Sequence, residues 1–139
     1  MEQKDYLLRE IEKIGVIINA IRKLIFGGNG NLTVTLENHV ENAKGMLLNE
    51  LDFDFDAFLL LSEKESNEYI ANFTGFSVEN VELLAECVSE IGFNDKSDNS
   101  KKYFEKALQL YNLCNLKSAT YSYDRETKIS AIKNMLATD

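Results

Sequence analysis

Asp5-Tyr6-Leu7-Leu8-Arg9-Glu10-Ile11-Glu12-Lys13-Ile14-Gly15-Val16-Ile17-Ile18-Asn19-Ala20-Ile21-Arg22-Lys23-Leu24-Ile25-Phe26 decides the fold class. Leu7, Ile11, Ile14, Ile18, Ile21 and Ile25 recur at spacings of 4, 3, 4, 3 and 4. That is a helical seam of period near 3.5, sustained for about three heptads. Leu8, Ile17 and Leu24 broaden it into an apolar face. About 22 residues at 1.5 Å each give a rod of about 33 Å. Gly27-Gly28-Asn29-Gly30-Asn31 ends it, because glycine and asparagine accept the left-handed C-cap conformation.

The same periodicity continues downstream. A second helix is expected from Thr33 or Thr35 to about Glu50, with Leu36, Val40, Ala43, Leu47 and Leu51 on one face. Asp52-Phe53-Asp54-Phe55-Asp56 interrupts it. Ser62 and Glu65 have capping-box spacing, which divides the next stretch into two short helices, through Phe58–Leu61 and through Tyr69, Ile70 and Phe73. Phe76, Ser77 and Val81 fit a hydrophobic staple around a Ser N-cap. The helix they open carries Leu84, Ala85, Val88 and Ile91, and Gly92 is expected to stop it. Asn94 to Ser100 reads as a polar loop. A helix over about 101–116 turns Phe104, Ala107, Leu108 and Tyr111 inward. A last one is capped near Ser122 or Asp124 and faces inward with Ile129, Ile132 and Leu136. The only strand-like stretch, Leu32 to Leu36, is too short to found a sheet. The expectation is a single all-α domain over 1–139: five to seven helices packed as antiparallel hairpins in a bundle.

Composition narrows the function classes. The chain has 139 residues, 15 Lys+Arg against 23 Asp+Glu and a formal charge of −8. An acidic surface lacks the Lys/Arg that displace counterions from nucleic-acid phosphates, and it is repelled by anionic lipid. Nucleic acid and membrane are therefore not expected as partners. No stretch approaches the roughly 20 apolar residues of a spanning helix. The charged start Met1-Glu2-Gln3-Lys4-Asp5 is unlike an export signal, so a cytoplasmic location is expected. Cys87 and Cys114 sit in separate helical patterns outside any CxxC unit and read as reduced, buried hydrophobes.

Four constellations invite a chemical reading. Asp52, Asp54, Asp56 and Glu63 fall at positions 1, 3, 5 and 12 of a 12-residue EF-hand loop, the spacing that wraps oxygens around Ca²⁺. Ala57 stands where that loop needs glycine, and Phe53 and Phe55 occupy positions normally solvated, so the segment reads chiefly as an acidic helix start. His39 is the only histidine, which excludes a two-His metal site within one chain; it reads as a partly buried or interface residue rather than a base working with Glu37 or Glu41. The Gly27–Asn31 run follows a helix instead of a strand, unlike a phosphate-binding loop. Tyr103, Tyr111, Tyr121 and Tyr123 gather near the C-terminus, and tyrosine is enriched at interfaces. No nucleophile–base pair is recognisable and no cofactor is expected. The N-terminal seam offers the strongest lead. Leu7, Ile11, Ile14, Ile18, Ile21 and Ile25, with Tyr111, Tyr121 and Tyr123, are the candidate contact residues for a protein partner or for a homodimer.

Asp5-Tyr6-Leu7-Leu8-Arg9-Glu10-Ile11 and Tyr103-Phe104-Glu105-Lys106-Ala107-Leu108 resemble an uncharacterised family of small, all-helical bacterial proteins. The second segment is also similar to the B helix of a tetratricopeptide repeat, matched by Phe104 and Ala107, with Ser100 in place of its first alanine. The resemblance implies helix-hairpin packing and a non-catalytic, protein-binding role. The alternative is a small-ligand or Ca²⁺-binding regulator built on the Asp52–Glu63 segment.

Overall fold

The computed structural model describes residues 3–27, 36–95 and 97–138. They form seven helices: α1 (Gln3–Phe26), α2 (Leu36–Leu51), α3 (Phe55–Leu59), α4 (Glu63–Ala71), α5 (Val78–Asn94), α6 (Ser100–Lys117) and α7 (Tyr123–Ala137). The protein is all-α. The proposed caps at Thr33 and Thr35, most of the Gly27–Asn31 turn and the strand-like Leu32–Thr35 lie outside the described residues.

The start signals in the sequence act as expected. Ser62 Oγ accepts from the Glu65 amide at 3.1 Å and Glu65 Oε1 accepts from the Ser62 amide at 3.0 Å, a complete capping box. Ser77 caps α5 through the Asn80 amide, with Phe76 and Val81 buried on either side. Ser122, rather than Asp124, caps α7 through the Arg125 amide at 3.1 Å.

Gly92 does not stop α5, which continues to Asn94. Its role is lateral: a Cβ there would meet Phe104 Cε1 at 3.0 Å, so the bare backbone admits the Phe104 ring. The residue is helical, where glycine costs only about 1 kcal/mol relative to alanine, and close packing against α6 offsets that.

Contacts along the chain fix the directions of the helices. Asn80 Nδ2, at the start of α5, donates to the Ile11 carbonyl of α1 at 2.8 Å, and Arg22 meets Glu90 near the other end, so α1 and α5 run parallel. Phe104 lies by Gly92 and Cys114 by Val78, so α6 runs antiparallel to α5. Arg125 meets Glu82 and Lys128 meets Glu86, which makes α7 parallel to α5. The core is shared among these elements: Ile14, Ile18 and Ile21 from α1, Val81, Ala85 and Val88 from α5, and Ala107, Leu110 and Cys114 from α6 are all buried. Each fully buried aliphatic side chain contributes roughly 1.5–3 kcal/mol. Phe53, Phe58, Tyr69, Phe73 and Phe76 form a second, aromatic centre with ring centroids 5.1–6.0 Å apart.

Candidate functional site

The acidic segment does not assemble as a Ca²⁺ loop. Asp52 adopts φ 57°, and its amide bonds to the Leu48 carbonyl at 2.9 Å while the Phe53 amide bonds to Leu47 at 3.1 Å. This is an αL C-cap of α2, with Asp52 in the left-handed position. Asp54 caps α3 by accepting from the Ala57 amide at 3.1 Å. Asp56 pairs with Lys44 at 2.8 Å, and Glu63 accepts from Asn112 Nδ2 at 3.2 Å. Three of the four carboxylates therefore serve three separate partners, and Asp52 contributes its backbone. Phe53 and Phe55, at 0% and 4% exposure, dictate this outcome, since burying both rings turns the intervening carboxylates apart. Ala57 is helical, so the sharp turn of the loop never forms. Among the described residues, no three His, Cys, Asp or Glu side chains converge to hold a metal ion.

The α1 seam divides in two. Ile14, Ile18, Ile21 and Ile25 are buried in the chain's own core, as is Tyr111 on α6, and Ile11 is half-buried. A dimer seam along the whole of α1 would require these side chains to leave that core. Tyr103 is likewise internal, its ring 6.5 Å from that of Phe55. The remaining candidates are exposed: Leu7 at 41%, Tyr121 at 77% and Tyr123 at 78%.

These exposed residues lie toward the same end of the molecule. Residues 3–9 of α1 are exposed on every side. The body begins at Glu10, whose carbonyl sits so close to Gly75 that a Cβ there would collide with it. Because α1 is parallel to α5 and Ile11 is level with Asn80, the preceding seven residues project past the start of α5. At 1.5 Å per residue the projection is about 10 Å. It carries Tyr6 and Leu8, which were not among the candidate contact residues, beside Leu7. The α6–α7 connection lies at the same end, with Leu116, Tyr121 and Tyr123 exposed.

Lys106 was not singled out in the sequence either. It is 1% exposed, and its Nζ donates to the Leu61 carbonyl at 2.9 Å, to Gln109 Oε1 at 2.7 Å and to Ser66 Oγ, while lying 4.7 Å from the centre of the Phe58 ring. Burial pushes this amine down to about 8, against the pull of Glu63 and Glu65. A lysine with a lowered pKa beside a serine is the composition of a nucleophile–base pair. The bonds run the other way: Lys106 donates to Ser66, and Ser66 Oγ donates to Gln109 at 3.2 Å. Ser66 is itself 1% exposed. The cluster ties α4 and the α3–α4 turn to α6. Its sequence signal is position: Tyr103, Lys106, Ala107, Leu110 and Cys114 follow one helical stripe.

Charge on α5 is also organised. Glu82, Glu86 and Glu90 recur every four residues. Arg22 of α1 grips Glu90 with two bonds of 2.9 Å and reaches Glu86 at 3.4 Å. Lys128 of α7 pairs with the same Glu86, and buried Arg125 with Glu82 at 2.9 Å and Asn115 at 3.1 Å. Hydrogen bonding to Glu90 and to Glu82 raises the two guanidinium pKa values. The ladder fastens both α1 and α7 to α5, and the two helices share Glu86.

Cys87 and Cys114 are free and buried, and desolvation pushes both thiols up to about 12, which leaves them unreactive. His39 is half-buried on α2, and its Nδ1 has no hydrogen-bond partner among the described residues. No described helix is long and apolar enough to cross a membrane. Comparison with protein-family models, with curated proteins and with solved structures finds no match to this chain.

Proposed function

We propose that this chain is a non-catalytic protein–protein interaction module, binding a protein partner or a second copy of itself through the end where α1 projects. The observation that carries the reading is the concentration of exposed apolar side chains toward that end: Tyr6, Leu7 and Leu8 on the projection, and Leu116, Tyr121 and Tyr123 at the end of α6 and the start of α7. Large apolar groups gathered at one end of a soluble surface mark an interaction site, whereas single ones scattered elsewhere need no explanation. Antiparallel packing of α5 on α6 supports the reading of this pair as a tetratricopeptide-like hairpin, and the acidic surface suits a cytoplasmic protein that avoids nucleic acid and lipid. A role in catalysis has little to draw on, since the Lys106–Ser66 contact is sealed and oriented for structure.

A photoreactive aromatic residue placed at Tyr6 or at Tyr121 tests this in cells producing the protein. Both positions should capture the same protein species, with no such adduct from Phe93, which is 50% exposed at the opposite end of α5. Equal capture from all three positions, or none, would overturn the reading.

A further inference from the structure

We propose that the cleft between α2, the end of α5 and the start of α6 binds a zwitterion of amino-acid size with an apolar side chain. The cleft lies at the opposite end of α5 from the α1 projection, and the inference does not depend on the interaction reading above.

The cleft encloses about 510 Å³. Small-molecule sites usually span roughly 300–1,000 Å³. Val40, Ile91 and the Tyr103 ring, all buried, line it with apolar surface. Tyr103 is the group that points to a ligand. It is 6% exposed, and no described residue makes a hydrogen bond to its hydroxyl. A hydroxyl taken from water without a partner is costly, and what remains accessible of Tyr103 faces the cleft. Burial pushes the phenol up, so it holds its proton at neutral pH and is free to donate.

The charges of the lining are of two kinds. Some are already spent: Lys44 is held by Glu41 and Asp56, each at 2.8 Å, and Asp95 Oδ1 accepts from the Ser97 amide at 2.8 Å. Two are not. Glu37 on α2 and Lys102 on α6 both line the cleft, and among the described residues neither enters an ion pair. The Lys102 ammonium lies 5.4 Å from the centre of the Tyr103 ring, so ammonium and hydroxyl belong to one wall. A carboxylate entering there accepts from both, a charge-assisted arrangement. The ammonium of the same molecule answers Glu37. Opposite charges placed on separate helices and not paired with each other recognise a molecule that carries both signs. A simple anion would leave Glu37 opposed to it, and a simple cation would leave Lys102. The apolar surface of the cleft receives the side chain.

Calorimetric titration of the full chain with L-phenylalanine tests this, with 3-phenylpropionate and phenethylamine as probes that lack the ammonium and the carboxylate. L-Phenylalanine should bind, and each comparator should bind about tenfold more weakly or worse. Lys102→Gln should weaken L-phenylalanine by a similar factor and leave phenethylamine unchanged. Glu37→Gln should weaken L-phenylalanine and leave 3-phenylpropionate unchanged. Both residues are exposed, so the variants should keep the helical circular dichroism of the parent. Tyr103→Phe keeps the ring and should also weaken L-phenylalanine. An absence of heat with L-phenylalanine at millimolar concentration, equal binding of all three probes, or binding that none of the three variants weakens would overturn the proposal.

Discussion

At the scale of single residues, two side chains occupy positions their chemistry does not favour. Asp52 sits at φ 57°, a conformation that costs an L-residue about 1 kcal/mol relative to glycine. Asp52→Gly should therefore raise stability by about 0.5–1 kcal/mol in urea unfolding. A loss would mean that its carboxylate has a stronger native role than the cap. Lys106 is the second case. Its folded-state pKa, about 8, lies below the ordinary lysine value of 10.5. Between those values the unfolded chain holds the proton that the folded chain has shed, so stability rises with pH across the window and the burial penalty is felt in full below it. The stability of the wild type relative to Lys106→Met should grow by about 1–3 kcal/mol from pH 7.5 to 10.5. Taking the difference removes the opposing titration of Cys87 and Cys114, and a flat difference would show that the amine is solvated.

At the scale of elements, α1 is set on α5 by close backbone approach. Gly75 admits the Glu10 carbonyl, and Asn80 Nδ2 donates to both the Ile11 and Gly75 carbonyls at 2.8 Å. Gly75→Ala must displace α1 and should cost about 1–3 kcal/mol in denaturant melts, with no change of helix content. Caps and periodic faces of the helices are local features and were legible in the sequence, as the Ser62–Glu65 box and the Ser77 and Ser122 caps show. The span of α5 was misjudged for a physical reason. Gly92 ends a helix only if its backbone turns left-handed, and the space required by Phe104 of α6 is invisible from α5 itself.

At the scale of the whole molecule, the order of packing predicts an order of protection. The interior of α5 and α6 carries the densest run of buried residues, whereas residues 3–9 stand outside the body. Hydrogen exchange on the dilute monomer should protect the amides of residues 84–91 and 104–114 most strongly and those of residues 7–9 least. Slow exchange at residues 7–9 that appears only on raising the concentration would mark the covering of the projection.

The spacing of apolar residues was enough to determine an all-helical chain, because a 3.5–3.6 period buries one face only when the backbone is helical. It also placed most caps, because a cap satisfies amides within three residues of itself. Which apolar residues remain in water was decided by tertiary structure alone. One stripe on α1 supplies both buried Ile14 and exposed Leu7, and the difference between them is where the neighbouring helices stop. The fate of the acidic segment was settled the same way: its EF-hand spacing is real, and the burial of Phe53 and Phe55 disperses the oxygens that spacing would have gathered.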